Sequence, residues 1–494
     1  MGTKIGLSKS KYCKGIQCPK ILWMEKNKPE EAEDILPYTI LSNGNRVGEL
    51  AREYFGEYAL VEYDRNVLNM CEATKQYLSV GKANIAEASF TIDGLYCAVD
   101  ILHKNGDGWD IVEVKSSTHV SPIYIDDMAF QYYVLTNCGI NIKSIYNMHI
   151  DNTYIFHDKL DIHDLFTLED YTQICKAKYY EVAKNINSIR QEAGQAVETT
   201  IDIGPHCNSP YECAYKGYCW KHIPYPSIFD ISRLTTDRKF DYYNQGIITY
   251  EDVKKYGVCL NPKQNRQVEA TLYQKPDEIN KREIQAFLGT LSYPIYHLDF
   301  ETFQTPIPEW EGCKPYEQIP FQYSLHIEYE DGRLEHKEFL AEAGKDPRRT
   351  LAERLCTDIP KDVCSLAYNM SFEKRIIRGL AELYPDLAVH LLNIHDNMKD
   401  LMLPFLQQSY YSAAMQGSYS IKYVLPALYP NNPELDYSNL EQVHHGQEAS
   451  SAYLDLCNQS PEEAAETRKN LLKYCGLDTY AMVKVLAKLR ESVQ

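Results

Sequence analysis

No stretch of the 494 residues approaches the ~18 consecutive apolar residues that a membrane-crossing helix requires. The opening MGTKIGLSKSKYCKGIQCPK holds no apolar segment of the kind a secretory signal needs. Gly2 is followed at position 6 by Gly6, where a myristoylation site has Ser or Thr. A cytoplasmic protein with no membrane partner is therefore expected. Positive charge is also scarce. Lys and Arg total 51 against 69 Asp and Glu, and the net charge of −18 excludes a histone-like cationic surface. It leaves room for an enzyme whose basic residues line one groove. There is no G-x-x-x-x-G-K-[ST], so the chain carries no P-loop motor. Internal repeats and low-complexity tracts are absent, and the 15 Cys include no C-x₂-C pair of the zinc-ribbon type.

What is present suits a folded α/β protein. A hydrophobic fraction of 44% supports full cores, and the length suggests two or three domains. Three regions separate: 1–222, with Cys at both ends; 223–290, a polar and mostly helical linker region; and 291–494, opening on the strand SYPIYHLDFETF.

The third region carries the strongest chemical pattern. YPIYHLDF, FQYSLHIEYE and LEHKEFLA read as strands, with Asp331-Gly332 turning between the last two. A helix RRTLAERLC, a strand DVCSLAYN and a helix FEKRIIRGLAELY follow. The last helix is expected to start at Ser460-Pro461-Glu462-Glu463, an N-cap followed by Pro at the first helical position. In HLDFET, Asp299 and Glu301 are two apart and share one face of a strand. Tyr474 and Asp478, four apart, share a face of the last helix. Asn369 and Glu373 lie between them at a strand-to-helix junction, and Asp400 is a second-ranked acidic candidate. Carboxylates gathered this way suit two Mg²⁺ or Mn²⁺ ions and phosphodiester hydrolysis, with Tyr474 orienting water.

In the first region, ASFTI, LYCAVDIL and WDIVEVK read as strands of a small sheet with turns at Asp93-Gly94 and Asn105-Gly106. Asp100 ends one strand, and Glu113 and Lys115 share a face of the next. Two carboxylates for a metal and a Lys for water are the parts of a hydrolytic site. A helix DDMAFQYYVLTNCG and a second long helix over EDYTQICKAKYYEVAKNINSIRQ are expected after it. Cys207, Cys213 and Cys219 stand with five residues between neighbours. With Cys18 or Cys13 as a fourth thiolate, they suit Zn²⁺ or a [4Fe-4S] cluster. His444-His445, in a polar stretch, reads as a solvated pair.

HLDFETF, YNMSFEK, GSYSIKYVLPAL and YCGLD resemble the DEDD exonuclease superfamily, Tyr subtype, over about 291–494. The whole chain resembles a prokaryotic family that carries such a domain after an iron–sulfur nuclease-like domain. The resemblance implies a ribonuclease H-like C-terminal domain acting as a 3′–5′ exonuclease on single strands. Asp299, Glu301, Glu373 and Asp478 would be its metal ligands, with Glu373 replacing the usual Asp. The first region is similar to the RecB-like branch of the PD-(D/E)XK, restriction-endonuclease-like fold. This implies metal at Asp100 and Glu113, with Lys115 beside it and Gln131 nearby. The branch often has a His where this chain has Arg52; Glu49 and Glu53 are possible substitutes. Iron–sulfur members place one Cys before the fold and three after it, which matches Cys18 with Cys207, Cys213 and Cys219. The implied partner is DNA or RNA, with any helicase supplied by another protein. The rival expectation is a nucleic-acid-binding or redox-sensing regulator with degenerate sites.

Overall fold

Aromatic and β-branched residues alternate through Asn84–Ile92, Leu95–Asn105 and Gly108–Lys115, and these form the antiparallel heart of a mixed sheet. Asp93 and Gly94 both have positive φ, 49° and 75°, which closes the first of the two tight turns. The computed structural model describes residues 5–34 and 38–494, with side chains for all of these but 38–42; Gly2 lies outside them. The chain divides into two units. One comprises Met1–Ile223 with Thr305–Tyr316, and the other Pro224–Gln304 with Glu317–Gln494.

The first unit is built on a seven-stranded sheet, with Ile142–Ile150 parallel to Gly108–Lys115 and Phe166–Asp170 antiparallel at the edge. The helix between the parallel strands runs over Pro122–Asn137. On one face Tyr12, Phe130, Val134, Val182 and Ile186 join Ile85, Val99 and Ile111 in one core. On the other, Val47 and Ala51 cover Ile101, Val112 and Met148. Covered on both faces, Gly108–Lys115 is buried almost throughout, Asp110 and Glu113 included. The expected long helix from Glu169 is instead the end of a strand, a short helix Thr172–Ala177 and a helix Tyr179–Ala193. Ladder bonding to Ile142–Ile150 wins over local helix propensity there.

The second unit has a five-stranded sheet. Leu334–Leu340, Ile319–Glu328 and Ile295–Phe303 are antiparallel; Cys364–Ala367 and Met398–Asp400 continue it in parallel. The 33-residue helix Pro461–Val493 begins with a capping box between Ser460 and Glu463. Its buried stripe, including Leu471, Tyr474, Cys475, Met482 and Leu486, returns every three or four residues. Gln322 donates to the Leu471 carbonyl at 2.8 Å and Arg468 to those of Leu340 and Ala341, fixing helix against sheet.

Two boundaries differ from the sequence expectation. From Pro224 onward, the segment expected to be a linker belongs to the second unit. There Ile284 shares a core with Leu401, Phe405 and Met482. Thr305–Tyr316 leaves that unit for the first, where Ile307 joins the core of Ile101 and Val112. Both depend on apolar contacts distant in sequence. Among the described residues, no helix is long and apolar enough to cross a membrane.

Candidate active sites and a cysteine cavity

In the second unit the parallel pairing of Cys364–Ala367 with Ile295–Phe303 stops at Leu366↔His297. Asp299 and Glu301 lie just past that point. Asp478 occupies the core-facing stripe of the C-terminal helix, four residues from Tyr474 and three from Cys475, so it is aimed at the strand. Glu373 sits in the first turn of Ser371–Leu383 and is buried, and its Oε2 has no hydrogen-bond partner. Burial, then repulsion from Asp478, Glu301 and Glu373, pushes Asp299 well above the ordinary carboxylate range. Burial with the Asp478 and Glu373 charges raises Glu301 to about 8, although Lys422 opposes this. Burial with Asp400 raises Glu373 to about 8. Burial lifts Asp478 to about 6, against the pull of hydrogen bonds from Tyr437 and Tyr474.

The Tyr437 hydroxyl donates to Asp478 Oδ1 at 2.6 Å. Burial beside these anions drives the Tyr474 phenol far up, so it remains a hydrogen-bond donor. The Lys422 ammonium lies 5.5 and 5.8 Å from the Tyr437 and Tyr474 rings and donates to the His444 carbonyl at 3.0 Å. Asp400 is occupied otherwise: its Oδ1 accepts from the Asn369 and Met402 backbone N–H groups at 3.0 and 2.9 Å. Asn369 itself, at φ 68°, lines a cleft of about 510 Å³ together with Asp299 and Asp478. His445 caps the helix Gly446–Asp455, and a Cβ added at Gly446 would lie 3.3 Å from Glu301 Oε2. The polar His444-His445 stretch thus brings a helix N-terminus to the site. Tyr437 and Gly446 had no signal in the sequence, and Lys422 stood within GSYSIKYVLPAL without a role; the placement of all three depends on the tertiary fold.

In the first unit, antiparallel pairing ends at Ile101↔Val112, so Asp100 and Glu113 stand where the strands part. Asp100 Oδ2 accepts from Val114 N–H at 2.7 Å. Glu113 is fully buried, with Lys115 Nζ 2.5 Å from Oε1 and Gln131 Nε2 2.6 Å from Oε2. Two participants were not foreseen. Lys9 Nζ lies 2.9 and 3.1 Å from the two Glu113 oxygens and 3.7 Å from Asp100 Oδ1. Asp127 meets Lys115 at 3.0 Å and Gln131 at 3.1 Å. Asp127 had a sequence signal, one turn before Gln131 on the same helix; Lys9, 104 residues from Glu113, had none.

Burial opposes ionisation of Glu113, but the Lys115 and Lys9 ammoniums outweigh it and hold its carboxyl below the ordinary range. Burial and the Glu113 charge instead raise Asp100 to about 7. Arg52, standing where a His was expected, pairs with Glu87 at 3.0 Å. Glu87, at φ 55°, adds its charge to those raising Asp100. Glu49 and Glu53 are exposed.

Cys18, Cys207, Cys213 and Cys219 line one cavity, and all four are free thiols. Cys13 points elsewhere, into the field of Asp127, Lys115, Lys9 and Glu113. His206, missed in the sequence, lies against Cys18 and Cys207, whose sulfurs raise its imidazole to about 10. Among the described residues, no three of these sulfurs fall mutually within 4.8 Å.

Residues 296–420 are similar to a family described as a domain of unknown function, DUF2779. That stretch holds Asp299, Glu301, Glu373 and Asp400 and ends before Tyr437, Tyr474 and Asp478. No curated protein and no solved structure matches the chain.

Proposed function

We propose that the protein is a metal-dependent nuclease whose second unit removes nucleotides from the 3′ end of a single DNA or RNA strand. The observation that carries this is the convergence of Asp299, Glu301, Glu373 and Asp478, four carboxylates whose ionisation is opposed by burial and, for Asp299 and Glu301, by the charges of Asp478 and Glu373. The orphaned, buried Glu373 Oε2 points to a missing positive partner. Asp299, Glu301 and Cys475 offer donor atoms within 4.8 Å of one another. The Cys475 thiol is held protonated by burial and the Asp299 charge, so the oxygens form the donor set. Hard oxygen donors suit Mg²⁺ or Mn²⁺. Bound ions would supply an activated water and charge stabilisation at the leaving oxygen.

The chain's own residues do the remaining work. Tyr437 fixes the Asp478 carboxylate, and Tyr474, kept protonated, orients water as a donor. On this reading the second unit is a ribonuclease H-like domain of the DEDD, Tyr-subtype kind, and the first a RecB-like PD-(D/E)XK domain. The four converging thiols would hold an iron–sulfur cluster. Zn–S bonds of ~2.3 Å would bring all four sulfurs roughly 3.8 Å apart, and no three of these fall mutually within 4.8 Å, whereas a cubane holds its ligands at wider corners.

A second role is favoured for the first unit by one observation. Lys9 contacts both Glu113 oxygens, so a divalent ion at Glu113 would have to displace an ammonium, and holding the strand is the role that suits this unit.

The test is degradation of 5′-labelled single- and double-stranded DNA and RNA in Mn²⁺, with protein purified without oxygen. A ladder shortening from the 3′ end that disappears in Asp299→Ala and persists in Asp100→Ala is the expected result. Failure of the wild type to cut any of the four substrates would remove the nuclease reading.

A further inference from the structure

We propose that Arg233, contributed by the helical segment ahead of the sheet of the second unit, binds a phosphate of the substrate strand next to the scissile bond. This rests on the nuclease reading. The ≈ 510 Å³ cleft is lined by Asp299 and Asp478 together with Ser232, Arg233, Ser418 and Tyr419, and its size admits a nucleotide. Among the described residues, Arg233 is the one Lys or Arg that lines it. A polyanion approaching four carboxylates meets repulsion, and a cation facing the cleft is what offsets it.

The guanidinium is built to be available. Its carbon lies 5.0 Å from the centre of the Tyr419 ring, and Arg233 forms no salt bridge among the described residues. Stacking on an aromatic face leaves the N–H edge free for bidentate phosphate contact.

The backbone beneath it is held in an unusual state. Arg233 has φ 56°, a left-handed conformation that strains any non-Gly residue. Two buried glutamines impose it: Gln267 Oε1 accepts from Ser232 N–H at 2.9 Å, and Gln264 Nε2 donates to the Ser232 carbonyl at 3.1 Å. Gln267 Nε2 also donates to the Asp230 carbonyl at 2.8 Å and to that of Gln416 at 3.2 Å. One buried side chain therefore pins both the Arg233 loop and the loop that carries Ser418 and Tyr419. Gly417 makes this approach possible, since a Cβ there would stand 2.4 Å from Gln267. Rigid presentation of a strained Arg at a cleft is the arrangement a binding site needs.

The experiment measures binding and cutting separately. Binding of a 5′-fluorescent oligonucleotide is followed by anisotropy in Ca²⁺, with wild type, Arg233→Gln and Arg233→Lys. A series of oligonucleotides then carries one neutral methylphosphonate at each of the last few linkages. Arg233→Gln is expected to weaken binding ~10-fold or more, and Arg233→Lys less, since it keeps the charge without the fork. One methylphosphonate position should weaken wild-type binding by a similar factor and leave Arg233→Gln almost unaffected. Losses that multiply at every linkage, or unchanged binding in Arg233→Gln, would overturn the proposal. Cutting in Mn²⁺ reports on the nuclease reading by itself. An inactive wild type that shows the Arg233 pattern sinks that reading alone, and an active enzyme indifferent to Arg233 sinks this inference alone.

Discussion

The two units place carboxylates at the parting ends of strands, and they differ in the charge set against them. In the first, two ammoniums, Lys9 and Lys115, lie against Asp100, Glu113 and Asp127. In the second, four carboxylates meet two tyrosines and a lysine that stands off over their rings. The consequence appears in Glu113, held below the ordinary range, against Glu301 and Glu373, both raised to about 8. A site whose counter-charge is supplied by its own chain gains little from a divalent ion. A site without one gains a great deal.

The largest expected effect tests this asymmetry directly. Asp478→Asn should lower Mn²⁺-dependent cutting by ~10³-fold or more, whereas Glu113→Gln should change it by less than about 3-fold. Equal losses would mean that the two units share the chemistry. Next, Lys9→Met should convert the first site toward the second. In an Asp299→Ala, Asp478→Asn background, Mn²⁺ affinity measured by titration calorimetry should rise ~10-fold. Stability should fall by ~1–3 kcal/mol because Glu113 loses one buried partner. An unchanged affinity would show that Lys9 does not compete for the metal position.

The third effect is on stability against pH in EDTA. Glu301 and Glu373 bind protons more tightly folded than unfolded. Their contribution is complete below pH ~4.5 and is lost as pH rises through about 8. In the first unit Glu113 is lowered and titrates below this window, whereas Asp100 and Asp127 are raised and add to the fall. The melting transition should therefore fall by roughly 5 °C between pH 5 and 8.5, and Glu301→Gln with Glu373→Gln should flatten the slope. A slope unmoved by the double substitution would place its origin elsewhere. The smallest change separates neighbouring cysteines. Cys13→Ser should leave the iron content of anaerobically purified protein unaltered, while Cys18→Ser should reduce it. Loss in both would place Cys13 in the cluster set.

Local physics made much of this legible. HLDFET lies on a strand because its alternating residues suit a buried sheet, and Ser460-Pro461-Glu462-Glu463 starts a helix by capping chemistry. Tyr474 and Asp478 share a helical face because of the 3.6-residue turn. The same reasoning failed at Glu169, where sheet pairing displaced the expected helix. It also failed at Pro224, where the supposed linker supplies part of the second core.

The amino-acid sequence by itself determined most of the strands and helices that carry the acidic residues, because those depend on periodicity and caps within a few residues. Only the tertiary structure decided which charges meet. It brought Lys9 to Glu113 across 104 positions and Tyr437 to Asp478 across 41. It also set Cys18 rather than Cys13 beside the other three thiols. Charge interactions depend on distance and burial in the folded chain, and no short-range pattern encodes either.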